Sequence, residues 1–179
     1  MLNPNIINLT LLLFTTTLML AQNNFTKEWK QLDKITPAQT GVSIKKQLFV
    51  KENSPTGPIL KEITADAPIR VGDKVTVRVE IRADRDMEYV HLKDMRAAAF
   101  EPINALSGYR WRDGLGYYES TRDAATNFFI SYLPKGTYVF EYELFASQQG
   151  EFSNGITTLQ CMYAPEFATH SQGVRIQVR

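Results

Sequence analysis

The stretch Val75-Thr76-Val77-Arg78-Val79-Glu80-Ile81-Arg82 alternates apolar and polar residues at period two, so Val75, Val77, Val79 and Ile81 share one face. Successive side chains of a strand point to opposite sides, and β-branched residues suit a pleated, half-buried surface. This segment therefore reads as a strand with one face on a core. Gly72 and Asp73 precede it, and Asp84 to Asp86 follow it as turn residues.

The same rhythm extends in both directions. Upstream, Val42, Ile44 and Leu48-Phe49-Val50 carry strand signals, followed by the turn Asn53-Ser54-Pro55-Thr56-Gly57-Pro58 and a short strand around Ile59 to Ile63. Downstream, Glu88 to Met95 reads as a strand and Arg96 to Leu106 as a looser crossover containing Pro102. Arg110 to Ser120, Thr126 to Leu133 and Thr137 to Ala146 form an aromatic tandem. In the last, Tyr138, Phe140, Tyr142 and Leu144 oppose Val139, Glu141, Glu143 and Phe145. Gln148-Gln149-Gly150 and Ser153-Asn154-Gly155 are turns, and Ile156 to Met162 and Val174 to Val178 close the series. Short strands at this cadence, with no long helical pattern, predict an all-β, antiparallel two-sheet β-sandwich over residues 42–179. Pro134-Lys135-Gly136-Thr137-Tyr138 matches a sandwich corner in which a tyrosine hydroxyl bonds back to a loop carbonyl.

The chain's 179 residues and 44% hydrophobic content suit one core and leave no room for a second full domain. Ile6 to Ala21 is apolar and nearly uncharged, which reads as a signal peptide over residues 1–21 with cleavage near Ala21, an exported product, periplasmic or extracellular, and no membrane span after its removal. Residues 22–41 form a polar segment and linker. Phe25, Trp29, Leu32 and Ile35 recur there at helical intervals before Pro37.

With 20 basic and 19 acidic residues the net charge is +1, which gives no electrostatic footprint for nucleic acid. The lone Cys161 and two histidines offer no multi-ligand zinc pattern, and neither a metal nor a cofactor is expected. Cys161, inside a predicted strand, reads as a small buried hydrophobe. His91 and His170 read as surface or hydrogen-bonded histidines. Asp84, Asp86 and Asp94, near Arg85 and Arg96, suggest turn capping and surface pairing. No nucleophile, base and orienting group assemble, so no catalytic residue is expected. Tyr109-Arg110-Trp111-Arg112-Asp113-Gly114-Leu115-Gly116-Tyr117-Tyr118 is the one stretch with functional appeal, and it makes Tyr109, Trp111, Tyr117 and Tyr118 a candidate interaction surface. As a strand, the same stretch would turn half of its rings into the core. A carbohydrate-binding module would require Trp111, Tyr117 and Tyr118 to be exposed and coplanar.

From Val71 to Val178 the chain resembles the C-terminal macroglobulin-like domain of bacterial alpha-2-macroglobulins, especially the Bacteroidetes type. The residues that carry this are Val71-Gly72-Asp73-Lys74-Val75-Thr76-Val77, Tyr89-Val90-His91-Leu92-Lys93-Asp94, Ser107-Gly108-Tyr109, the region from Arg122-Asp123 to Phe129, Leu133-Pro134-Lys135-Gly136-Thr137-Tyr138-Val139-Phe140-Glu141-Tyr142 and Cys161-Met162-Tyr163-Ala164-Pro165-Glu166-Phe167. The resemblance implies a macroglobulin fold, export and descent from endopeptidase inhibitors. Such inhibitors expose a bait region and, in many members, trap proteases through a Cys-Gly-Glu-Gln thioester. Cys161 stands in a Cys-Met-Tyr context, so it is not expected to be a thioester cysteine, and at this length no bait region is expected. Asn24 to Lys30 is similar to the mature start of the same proteins. The expectation is a non-catalytic exported module that docks to another exported protein or to a macroglobulin-like protein, with an inactive truncated remnant as the alternative.

Overall fold

A computed structural model describes residues 41–55, 57–64 and 69–179. The expected signal peptide and the segment with Phe25, Trp29, Leu32 and Ile35 lie outside the described residues. Among the described residues no helix is long and apolar enough to cross a membrane.

Two antiparallel sheets face each other. The first has five strands: β1 (Val42–Ser54), β2 (Gly57–Glu62), β3 (Lys74–Ala83), β5 (Phe100–Pro102) and β9 (Gly136–Ala146), in the order β2-β1-β3-β9-β5. The second has six: β4 (Met87–Met95), β6 (Gly108–Arg112), β7 (Leu115–Thr121), β8 (Ala125–Leu133), β11 (Thr157–Cys161) and β12 (Ala168–His170), in the order β12-β11-β4-β8-β7-β6. β10 (Gly150–Ser153) and β13 (Arg175–Val178) pair apart as a two-stranded ribbon.

The alternation in β3 does what its sequence requires. Val75, Val77, Val79 and Ile81 are at most 1% exposed and meet Val90, Leu92, Phe128, Ile130, Leu133 and Leu159 of the opposite sheet. Each such side chain contributes about 1.5–3 kcal/mol by leaving water. In β9, Phe140 and Leu144 face the core, while Val139 and Phe145 face out, as their alternation predicts. The expected corner is present, with the Tyr138 hydroxyl donating to the Pro134 carbonyl at 3.0 Å.

Four readings change. Arg110 to Ser120 is two strands, because Asp113 and Gly114 both take positive φ, 50° and 77°, and close a two-residue hairpin turn. The Arg96 to Leu106 crossover contains β5, and the segments read as turn and loop contain β10 and β12. In β4, Tyr89 takes φ 51°, which re-aims the chain so that Met87, and not Glu88, is buried.

The fourth concerns Asp94 and Arg96, expected at the surface but buried, at 0% and 6% exposure. Asp94 falls on the inner face of β4 by parity with Val90 and Leu92. It meets Lys46, which occupies an inner position of β1 between Ile44 and Leu48. Lys46 Nζ stands 2.6 Å from Asp94 Oδ1 and donates to the Met95 carbonyl at 2.7 Å. Thr157 Oγ1 donates to Oδ1 at 2.7 Å and the Tyr142 hydroxyl to Oδ2 at 2.5 Å. Burial first, and the adjacent carboxylate second, hold the Tyr142 phenol well above its ordinary pKa. This network joins the two sheets through the middle of the sandwich.

Candidate interaction surface

The β6–β7 hairpin forms one edge of the six-stranded sheet, and its two-residue turn sets which rings face out. Trp111 pairs with Gly116 and Tyr109 with Tyr118, so these four positions share the outer face. Tyr109 is 84% exposed and Trp111 77%. A Cβ on Gly116 would lie 2.8 Å from Cε3 and Cζ3 of Trp111, which shows that the indole rests on the bare backbone of β7. Glycine here makes room for the ring and serves no turn, since its φ is not positive. One face of the indole is thus braced and the other open to solvent.

Tyr109 meets Tyr118 edge to face, with ring centroids 5.1 Å apart and planes at 72°. The row continues along the register: Tyr118 lies opposite Phe129, and Phe129 opposite His91. His91 stacks on Phe129 at 4.7 Å with planes within 2°, and its Nε2 lies 3.0 Å from Asn127 Oδ1. The outer face therefore carries an aromatic band across four strands. Sequence reasoning missed Phe129 and His91 because it had no strand order from which to align them.

Tyr117 does not belong to this surface. It is 8% exposed and packs against Phe128 and Phe140 at centroid distances of 5.8 and 5.2 Å. Had Gly108 to Thr121 been one strand, Tyr109, Trp111 and Tyr117 would have shared a face. The hairpin reverses the parity and sends Tyr117 inward with Leu115.

Two of the clefts among the described residues border side chains singled out in the sequence. The first, of about 420 Å³, opens between the hairpin and the β5–β9 edge and includes Arg110, Arg112, Glu119, Thr126, Glu141 and Tyr142. Its charges are matched: Arg110 with Glu119 at 3.5 Å, and Glu141 with Arg78 at 2.6 Å and Arg112 at 3.8 Å. The second, of about 320 Å³, is bounded by Val42, Met87, Tyr89, Cys161, Tyr163 and Phe167. Burial, then the charge of Glu166, pushes the Cys161 thiol up, away from the reactive thiolate. His170 Nδ1 lies 3.2 Å from the Ser171 carbonyl, and among the described residues no three of His, Cys, Asp and Glu converge on a point that could hold a metal.

Two facing antiparallel sheets with a tyrosine corner, and no helix among the described residues, define an antiparallel β-sandwich. Residues 41–166 match the model of the bacterial alpha-2-macroglobulin MG10 domain, and the chain belongs to that family. The fold agrees with solved bacterial alpha-2-macroglobulins. A fragment of the native Escherichia coli protein, from domain MG7 to the C-terminus, superposes with a TM-score of 0.64 at 15% identity, over 81% of this chain and 24% of that one. A variant of the Salmonella protein gives 0.63 at 17% identity, over 80% of this chain and 10% of that one. A curated relative, circularly permutated Ras protein 2 of Dictyostelium discoideum, is 24% identical over 136 residues, 76% of this chain and 3% of its own length. The chain thus spans a quarter or less of each of these three chains.

Proposed function

We propose that this domain is a non-catalytic interaction module of an exported protein of the bacterial, Bacteroidetes-type alpha-2-macroglobulin group, and that it docks onto another exported protein through the outer aromatic face beside β6. The observation that carries the reading is the pair Tyr109 and Trp111, both more than three-quarters exposed on a braced edge strand. Large rings in water next to unpaired strand-edge groups are the composition of an interface centre, and Tyr and Trp dominate binding energy where they become buried. Family membership supports a scaffolding role, and the raised Cys161 thiol gives no support to a covalent one. Inhibition of proteases enters by descent alone.

The carbohydrate-binding reading is weakened, since Tyr117 is in the core and the Tyr109 and Tyr118 planes cross at 72°. The test is affinity capture from periplasmic and secreted fractions with the chain from Gln22 to Arg179, compared with a Tyr109→Ala/Trp111→Ala variant and a Tyr163→Ala control. Capture of one exported protein by wild type and control but not by the double variant, reproduced with the purified partner by calorimetry, supports the reading. Equal recovery by all three, or nothing above background, favours the inactive remnant.

A further inference from the structure

The inner end of β4 holds more positive charge than its neighbours neutralise. Lys46 and Asp94 cancel one another. Two residues on, the Arg96 guanidinium is buried; its Nη2 donates to the carbonyls of Arg122 and Ala125, while Nε and Nη1 have no partner. Two more buried atoms without partners border the same strand end. Thr126 Oγ1 belongs to the β8 residue opposite Asp94 and faces the Tyr142 phenol, and Asn154 Nδ2 belongs to the residue whose Oδ1 accepts from Ala97 N. Among the described residues these four are the buried side-chain nitrogens and oxygens without a partner, and all four can donate.

Buried donors without acceptors are costly, and a buried charge without a counter-charge is more so. Water would satisfy the N–H groups but leave the charge. We propose that a monovalent anion, chloride under physiological salt, binds between the Nε and Nη1 groups of Arg96 and the Thr126 hydroxyl, as the internal counter-ion of Arg96. Asn154 Nδ2, on the β11 side of the strand, needs only a water.

The acids nearby do not oppose the ion. Both oxygens of Asp94 are engaged, Oδ1 by Lys46 and Thr157 and Oδ2 by Tyr142. In the adjoining cleft, Glu119 and Glu141 face arginines and Glu143 faces Lys51 at 3.2 Å. Thr126 and Tyr142 also line that cleft. The burial of all its donors favours a single-atom ion over sulfate or phosphate.

The test is thermal unfolding of the purified full chain at constant ionic strength in sodium chloride, bromide or gluconate, together with anomalous diffraction from bromide-soaked crystals. A saturable rise in Tm of about 4–7 °C in either halide over gluconate is expected when halide exceeds its dissociation constant about tenfold. A bromide peak beside the Arg96 guanidinium is expected with it. Arg96→Met should abolish the halide dependence, and Thr126→Val, which leaves the cation in place, should weaken it if the first variant does not fold. Equal Tm in the three salts, or a water at Arg96 with bromide confined to the surface, would overturn the proposal.

Discussion

Replacing Lys46 with methionine keeps the side chain's length and apolar stem but removes the ammonium from between the sheets. The Asp94 carboxylate, 0% exposed, is then left with only the hydroxyls of Thr157 and Tyr142. Taking one partner from a buried pair costs about 3–5 kcal/mol, since the survivor is an uncompensated charge in low dielectric. For a domain of this size 1 kcal/mol moves Tm by roughly 3–5 °C, so Lys46→Met should melt about 10–25 °C below wild type. A Lys46→Met/Asp94→Leu variant removes both charges and strands two hydroxyls, each worth about 1 kcal/mol, so it should be more stable than the single variant. Urea unfolding followed by far-ultraviolet circular dichroism measures both, with an unchanged m-value as the check on two-state behaviour. A loss below about 1 kcal/mol for Lys46→Met, or a double variant weaker than the single, would refute the reasoning.

Tyr117→Ala should cost about 3–5 kcal/mol because it empties the Phe128–Phe140 cluster, whereas Trp111→Ala should stay within about 0.5 kcal/mol of wild type; the same urea titrations compare them. Gly116→Ala should leave Tm nearly unchanged, since the exposed indole can swing away from the new Cβ, yet weaken partner binding in calorimetry as strongly as Trp111→Ala does. Tyr138→Phe should cost about 1 kcal/mol, the net worth of its bond to Pro134, read as a small fall in urea midpoint. Asp86 accepts from the Lys135 amide and the Tyr132 hydroxyl, which hold its carboxyl below the usual carboxylate range. Its contribution is present above the unfolded-state pKa of about 3.9 and is lost as pH falls through the lower folded value. Carbon-detected NMR titration should show the depressed midpoint, with Tyr132→Phe moving it part of the way back.

Period-two alternation made the fold legible: β3 and β9 declare their faces residue by residue, and Pro134 to Tyr138 declares the corner. The surface was half legible. Tyr109, Trp111 and Tyr118 stood out by composition, but the parity of Tyr117 depended on Asp113-Gly114 being a hairpin turn, a dipeptide signal that the aromatic density obscured. Asp94 and Arg96 were misplaced for a different reason. A charged residue at an inner strand position is recognisable only against its partner, and Lys46 is 48 positions upstream in another sheet. The short strands β5, β10 and β12 have three or four residues each, too few for a periodic pattern to register.

The indole braced on Gly116 also has a spectroscopic consequence. Trp111 is the only tryptophan among the described residues, the other in the chain being Trp29. In a Trp29→Phe background its emission should be red-shifted, as for an indole in water, and nearly indifferent to the state of the core. It would shift to the blue when a surface closes over it, so the chain carries an intrinsic, label-free reporter that is silent on folding and responsive to docking.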